Sequence, residues 1–304
     1  MLFSSMVFLI VFLPCVLFLY FVPLRKHRVL QNYFLLAASL AFYAWGEPWF
    51  VAVIVLSIFG NWIFGIKVYE KKEHAQNAKP LIVLMLIFNL SILFSFKYLG
   101  FVVHNTNVIF GTDMTVPHLP LPIGISFFTF QAISYVIDIY RGRGGLQKNL
   151  LNVGLYIAFF PQLVAGPIVR YQTISDQIMN RKETFDDFAF GTCRFIVGLA
   201  KKVLISNNLA VVANQAFALA ASGECSVAFA WLGMIAYTLQ IYFDFSGYSD
   251  MAIGLGRMFG FHFPENFNYP YISKSLSEFW RRWHISLGSW FRDYVYFPLG
   301  GSRV

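Results

Sequence analysis

Charged residues are scarce in this chain. Of its 304 residues only 12% are Asp, Glu, Lys or Arg, which is about half of their share in a soluble domain. Hydrophobic residues make up 58% of the chain, and they come in long runs instead of alternating with polar residues. The lack of charge excludes an ordinary soluble domain. The long runs predict an all-α polytopic membrane protein.

Cysteine is also rare, and the motifs of several chemistries are missing. Cys15, Cys193 and Cys225 stand alone, without the spacing of metal ligands, and we interpret them as small core residues. The sequence contains neither a glycine-rich phosphate loop nor a serine-nucleophile motif. The chemistry of this chain is therefore expected to use neither a metal nor a bound cofactor.

The basic residues are spread thinly. The net charge is +8, yet no cluster is long enough for a nucleic-acid groove, and we expect no nucleic-acid partner. The first apolar run, 1–22, lacks a basic start and a small-residue cleavage site, and its charges follow it at Arg25 and Lys26. This order predicts an uncleaved first span whose C-terminal end lies in the cytoplasm.

The apolar runs give a consistent topology as far as residue 140. Crossing the bilayer takes about 20 helical residues. On that basis we predict spans at 2–22, 31–46, 49–66, 81–99, 121–140 and, later in the chain, 227–245. The loops 67–80 and 141–149 are basic and are predicted to lie inside. The stretch 100–120 holds no Lys or Arg and is predicted to be an outside loop.

After residue 150 the pattern favours broken segments. The run 150–166 is interrupted by Pro161 and predicts either a kinked helix or a re-entrant turn. The stretch 188–205 carries three cations and predicts a surface or tilted helix, followed by a short segment at 207–222. Short, tilted and re-entrant helices are typical of a protein that encloses a cavity. We expect a single domain over residues 1–304.

The stretch 275–301, SLSEFWRRWHISLGSWFRDYVYFPLGG, carries the strongest functional signal. Read as one helix, it begins with a capping box of Ser275 and Glu278, and Glu278 is spaced to pair with Arg282. Its apolar face includes Trp283, and His284 lies where that face meets a cationic edge. An imidazole there is a candidate proton acceptor. The alternative is an interfacial helix without chemistry.

Other polar residues in apolar surroundings have two possible interpretations. Asp244 follows Gln240 by four residues at the end of an apolar run. It either lines a cavity and orients a cation, Arg281 or Arg282, or lies in headgroup water beyond the helix end. Arg170 is interpreted as an interfacial anchor, the alternative being contact with an anionic donor.

The segment FPENFNYPY, 263–271, is rich in turn-forming residues. Asn266 or Asn268 is expected to cap a helix or turn. We interpret the segment as one that positions the His284 helix.

Five ordered motifs resemble one family. They are PIGISFFTFQAISYVIDIYRG (122–142), FFPQLVAGPIVRY (159–171), QIYFDFSGYSDMAIGLG (240–256), NFNYPYISKSLSEFW (266–280) and RRWHISLGSWFRDYVYFPLGG (281–301). Together they resemble the bacterial branch of the membrane-bound O-acyltransferases (MBOAT), and within it the membrane subunit of alginate O-acetylation systems. The resemblance runs from about residue 121 to the last residue.

The resemblance implies a helical core pierced by a tunnel and an acyltransferase located in the bacterial inner membrane. It implies transfer of an acetyl group from a cytoplasmic donor, acetyl-CoA, to hydroxyls of an exopolysaccharide, with an extracytoplasmic acyltransferase partner protein. His284 matches the histidine of the family helix that lines this tunnel. Arg281 and Arg282 would hold a donor phosphate or a carboxylate. Asp244, Gln240 and Trp283 are the further candidate tunnel residues.

The family's second histidine belongs to a later helix, so we expect the chain to be truncated at its C-terminus and inactive by itself. Two other functions remain open at this point. One is D-alanyl or other acyl transfer to a cell-envelope polymer. The other is a non-catalytic lipid or glycan transporter, although the repeated halves typical of transporters are not found.

Overall fold

The computed structural model describes residues 1–117, 119–164 and 166–301. Within these ranges every regular element is helical, which confirms the all-α prediction. Among the described residues, four helical stretches are long and apolar enough to cross a membrane: Pro48–Glu73, Lys79–Lys97, Phe185–Ser222 and Val227–Met258. The chain is therefore a polytopic membrane protein.

The helices of the first half of the chain follow the predicted spans in order. They are α1 (Leu13–Phe21), α2 (Arg28–Ala44), α3 (Val51–Glu73), α4 (Lys79–Lys97), α5 (Leu99–Phe110) and α6 (Ile125–Arg141). A π-helical stretch, Val7–Phe12, precedes α1, and a 3₁₀ turn, Pro48–Phe50, precedes α3. The predicted outside loop at 100–120 is wrong in its first part, because α5 occupies it. Two of its polar side chains form hydrogen bonds within the helix: Asn105 Nδ2 and Thr106 Oγ1 each donate to a carbonyl four residues earlier.

The second half has shorter helices and two long ones. They are α7 (Leu150–Ala158), α8 (Phe160–Leu163), α9 (Tyr171–Ile174), α10 (Gln177–Asn180), α11 (Phe185–Ala200), α12 (Asn207–Ser222), α13 (Val227–Met258), α14 (Leu276–Arg282) and α15 (Ile285–Phe291). The predicted interruption near Pro161 is confirmed, since the backbone is extended at Phe159, between α7 and α8. Pro161 is in the first turn of α8, where its missing N–H costs no hydrogen bond.

The described chain divides into two compact units. The first consists of 1–18, 165–167 and 181–292, and the second of 19–164, 168–180 and 293–304. The first unit holds α11 to α15. The second holds α2 to α10. The single-domain prediction remains a prediction.

The prediction of separate segments at 188–205 and 207–222 is wrong. A π-helical stretch, Lys201–Ser206, joins α11 to α12 in one helical run. The cations that suggested a surface helix are neutralised by carboxylates on or near α13. Lys201 lies 2.6 Å from Asp250, and Lys202 lies 2.5 Å from Asp244. Because the cations are paired, they do not force the helix out of an apolar setting.

Two pairs of glycines bring α11 and α13 together. A Cβ on Gly198 would lie 2.5 Å from the carbonyl oxygen of Gly247, and a Cβ on Gly191 would lie 2.6 Å from that of Gly254. The partners are seven residues apart on each helix. Backbones approach this closely only where side chains are absent, as at many helix crossings in membranes.

In the second unit α6 is a largely buried helix. Its buried positions run almost without a gap from Phe128 to Ile139. Nearby, Asn61 of α3 and Asn89 of α4 exchange side-chain hydrogen bonds of 2.8 and 2.9 Å. Such reciprocal amide pairs satisfy polar groups that water cannot reach.

The interpretation of the cysteines as core residues is wrong for Cys15 and Cys193, which are exposed. Both lie on outward faces of apolar helices, where a thiol behaves as a small apolar group.

Candidate functional site

The helix predicted over 275–301 is broken at the histidine. Helix α14 ends at Arg282, Trp283 is extended, and His284 has left-handed backbone angles with φ 45° before α15 begins. The continuous helical face predicted for this stretch is therefore wrong. Leu276 and Trp280, which would share the apolar face with Trp283 in one continuous helix, are 80% and 63% exposed. The start is as predicted: Ser275 Oγ accepts from Glu278 N at 3.1 Å. Glu278 reaches the N–H of Lys274, one residue before the expected one.

The break is caused by the segment 266–268, whose backbone forms hydrogen bonds with backbone groups of residues 282 and 285. The N–H of Ile285 donates to the carbonyl of Asn266 at 3.0 Å, and the carbonyl of Arg282 accepts from the N–H of Asn268 at 2.9 Å. These are two groups that a continuous helix would have bonded within itself. The prediction that this segment positions His284 is confirmed.

The side chain of Asn266 holds His284 directly. Asn266 is 1% exposed, and its Oδ1 lies 3.0 Å from His284 Nδ1. The same oxygen accepts from Ser286 Oγ at 2.8 Å, while Asn266 Nδ2 donates to Ser249 Oγ at 2.9 Å. The Ser286 backbone N–H, a group that only donates, also points at Oδ1. The amide orientation is therefore fixed.

This orientation determines the tautomer of His284. Because Asn266 presents an acceptor, the proton of the neutral imidazole is on Nδ1, and Nε2 carries a lone pair. Burial lowers the pKa of His284 to about 4, so the ring is neutral at physiological pH. Phe245 covers the ring edge-on with centroids 4.8 Å apart. Of the two ring nitrogens, Nε2 is therefore the one able to accept a proton.

Asn266 also borders a cavity of about 470 Å³, whose lining does not include His284. Its wall includes Asn266 and Ile285, the two residues bonded to or following His284. The remaining wall combines charged, hydroxyl, amide, aromatic and aliphatic side chains: Arg194, Lys201, Tyr242, Ser246, Ser249, Asp250, Ile253, Glu265, Phe267, Asn268 and Tyr269. This size and polarity suit a small polar ligand.

An ion network forms one wall of the cavity. Arg194 bonds Glu265 through both terminal nitrogens, at 2.6 and 2.5 Å, and bonds Asp250 at 2.9 Å. Lys201 completes the network at 2.6 Å from Asp250. Two cations thus face two carboxylates, and the network fixes α11 against α13 and the 266–268 segment.

The structure separates the predicted site residues. Asp244 pairs with Lys202, so the predicted cation partner, Arg281 or Arg282, is wrong. Its helix does not end at Phe245 as the alternative required, because α13 continues to Met258. The backbone carbonyl of Gln240 accepts from Ser206 Oγ at 3.3 Å.

The two arginines of α14 bond to their own helix or its neighbour. Arg281 donates to Ser277 at 3.1 Å. Arg282 pairs with Glu278 at 2.9 Å, as predicted, and also reaches the carbonyl of Asn268. Trp283 stacks on Phe279 with ring centroids 5.6 Å apart, in an aromatic cluster beside His284.

The second unit contains a separate polar cluster. Asp138 accepts from Tyr294 Oη at 2.6 Å and from the N–H of Gln172 at 3.0 Å. Arg170 lies 2.5 Å from Asp293 and is largely buried. Its interpretation as an interfacial anchor stays a prediction.

The network around Arg194 and Glu265 was not predicted from the sequence. A usable signal was present, because cations in one apolar run and carboxylates in another predict mutual pairing at membrane depth. No sequence pattern indicated that Asn266 would contact the imidazole, since 18 residues and a turn separate it from His284.

Comparison with known proteins identifies the class. The family model of the membrane-bound O-acyltransferases matches residues 146–304. The chain belongs to this family, which confirms the resemblance.

Among curated relatives, the probable alginate O-acetylase AlgI of Azotobacter vinelandii is 47% identical over 308 residues, covering 100% of this chain and 60% of the relative. The peptidoglycan O-acetyltransferase of Helicobacter pylori is 36% identical, covering 100% of this chain and 63% of that protein. The teichoic acid D-alanyltransferase of Bacillus subtilis is 34% identical over 57% of this chain and 44% of its own length. The chain thus spans about three fifths of the length of the relatives that match it throughout.

Proposed function

We propose that this chain carries the acyl-transfer site of a multi-pass O-acyltransferase of the bacterial inner membrane. The enzyme would move an acetyl group from a cytoplasmic donor, acetyl-CoA, to a hydroxyl of an exported polysaccharide. Membership of the O-acyltransferase family supports the reaction class and disfavours the transporter alternative. The observation that carries the proposal is the neutral imidazole of His284 with an unprotonated Nε2.

The tautomer supports a role for the histidine as a base. In the reaction, a hydroxyl oxygen bonds to the acetyl carbon, the thioester C–S bond breaks, and the hydroxyl proton passes to a base and then to the thiolate. A lone pair on Nε2 accepts that proton but cannot donate a hydrogen bond to the acyl carbonyl. We therefore favour His284 as a base, acting directly or through the family's second histidine, over a carbonyl-binding role.

The comparisons favour an exopolysaccharide of the alginate type as acceptor. The probable alginate O-acetylase of Azotobacter vinelandii matches the whole chain at higher identity than the peptidoglycan O-acetyltransferase of Helicobacter pylori. The D-alanyltransferase of Bacillus subtilis matches 57% of the chain, which makes D-alanyl transfer the weaker alternative. An extracytoplasmic acyltransferase partner protein and the surrounding membrane lipid complete the proposed partners.

Two substitutions of His284 test the role, made in the complete gene product. His284→Gly suits the left-handed backbone, because glycine adopts a positive φ without steric cost. We expect it to leave the melting temperature of the purified protein unchanged while polymer acetylation falls at least a hundredfold, which is the usual contribution of a general base. His284→Gln keeps a polar side chain without a basic nitrogen and should be equally inactive.

Acetylation near the wild-type level in His284→Gly would remove the imidazole from the mechanism. The position would then serve as a turn only.

A further inference from the structure

A cluster of three cations lies in the second unit, away from His284 in sequence and outside the cavity described above. Arg141 and Arg143 line a second cavity, of about 640 Å³, together with Asp293, Phe297 and Pro298. Between the arginines, the position of a Cβ on Gly142 would be 3.2 Å from Lys72 Nζ. The end of α3 therefore brings a third cation to the turn that follows α6.

The backbone holds both arginines in place. Gly142 has φ 71° and ends α6, its N–H bonding to Ile139 O at 3.0 Å while Arg143 N–H bonds to Asp138 O at 2.9 Å. This pair of bonds is a Schellman motif, which satisfies the last carbonyls of the helix. The guanidinium groups are thus not needed to cap the helix end.

None of the three cations has a salt bridge to a carboxylate of the described residues. Arg141 lies over the ring of Tyr294 at 5.2 Å from its centroid. The carboxylate in the cavity wall, Asp293, is engaged by Arg170 at 2.5 Å. Like charges held together repel one another unless an anion lies among them.

We propose that Lys72, Arg141 and Arg143 form a binding site for a phosphate group. Guanidinium groups bind phosphate oxygens through two parallel hydrogen bonds, and an ammonium group adds a point charge. The cavity is within the size range of small-molecule sites, about 300–1,000 Å³. The basic loops 67–80 and 141–149 are both predicted to face the cytoplasm, where a phosphate-bearing acyl donor would arrive. The site does not depend on the assignment of His284.

The test measures binding by the complete gene product in nanodiscs. In phosphatidylcholine nanodiscs, titration with coenzyme A should give a dissociation constant at least tenfold weaker for the triple variant Lys72→Gln, Arg141→Gln, Arg143→Gln than for the wild type. The single variant Arg143→Gln, at an exposed side chain, should give part of that loss. Inorganic phosphate should compete with coenzyme A for the wild-type protein. Binding should weaken as salt is raised, because the contacts are ionic.

A second arm identifies the source of the phosphate. If coenzyme A binding is equal in all variants but the triple variant loses enrichment of phosphatidylglycerol over phosphatidylcholine, the ligand is a lipid headgroup and the phosphate site stands. The matched control is Arg25→Gln with Lys26→Gln, an exposed basic pair in another loop predicted to be cytoplasmic. The proposal would be overturned if the control and the triple variant lost binding equally. It would also be overturned if the triple variant kept both its coenzyme A binding and its phosphatidylglycerol enrichment. Failure of wild-type protein to bind either ligand would overturn it as well.

Discussion

Removal of the Asn266 side chain should disable the histidine without removing it. Asn266→Ala deletes the oxygen that accepts from His284 Nδ1 at 3.0 Å and from Ser286 Oγ at 2.8 Å. The imidazole then loses the partner that keeps its proton on Nδ1. Loss of one partner of a buried hydrogen bond costs about 1–3 kcal/mol, so we expect kcat/KM for acetyl transfer to fall about 5- to 150-fold.

The substitution Asn266→Asp gives a different expected result. The carboxylate still accepts from Nδ1, but its negative charge stabilises the imidazolium form and raises the pKa of His284. In the wild type, burial places that pKa at about 4. Proton acceptance by Nε2 is therefore retained from neutral pH down to about pH 4 and is lost below it. In Asn266→Asp the acid limb of the kcat/KM profile should move upward by about one pH unit or more.

The assay is acetyl transfer from acetyl-CoA to polymer by membranes containing the complete gene product, between about pH 4 and pH 8. Asn268→Ala is the matched control, because Asn268 contacts Arg282 through its backbone groups. An Asn266→Asp profile that coincides with the wild-type profile would refute a positioning role for Asn266, even if total activity fell.

Two further predictions concern stability. Gly198→Ala should lower the melting temperature in detergent, because its Cβ would be 2.5 Å from Gly247 O and overpacking costs about 1–3 kcal/mol. The control is Gly145→Ala, which has open space around it and should melt at the wild-type temperature. Equal melting temperatures for the two variants would contradict the close approach of α11 and α13. Asp250→Asn removes a carboxylate shared by two cations and should cost about 2 kcal/mol, whereas Glu278→Gln, which breaks an i,i+4 pair at a helix surface, should leave the melting temperature unchanged. If Asp250→Asn and Glu278→Gln both left the melting temperature unchanged, the ion network around Asp250 would not contribute to stability.

The apolar runs predicted the helices well because a backbone in hydrocarbon must satisfy its own N–H and C=O groups, as a helix does. Residues 81–99 and α4 nearly coincide, and 121–140 corresponds to α6. Errors arose where charges were read one at a time. Lys202 suggested a surface helix and Asp244 a helix end, yet the two lie 2.5 Å apart in the structure, and both helices continue past them. The cost of burying either charge falls when its partner is present, and pairing between distant segments cannot be read from one segment alone.

The candidate site was predictable in its residue and not in its geometry. His284 was selected from a helical periodicity that the backbone does not follow at that residue. The bonds that end α14 come from Asn266 and Asn268, and their turn-rich segment indicated a positioning role without giving its form. Local sequence fixes local hydrogen bonding, whereas this break is imposed by a neighbouring segment.

The left-handed backbone at His284 is itself an argument for chemistry. With φ 45°, this position costs a side-chain-bearing residue roughly 1–2 kcal/mol, and glycine would avoid that cost. Six other turns of the described chain do place glycine at positive φ, Gly142 and Gly124 among them, whereas Ala75 and Tyr269 adopt a positive φ with a side chain, as His284 does. A fold that needed only a turn between α14 and α15 would be better served by glycine there. The ring instead occupies the strained position with Nδ1 bonded to a buried amide, and the strain is offset by contacts that orient Nε2, the atom a proton-transfer role requires.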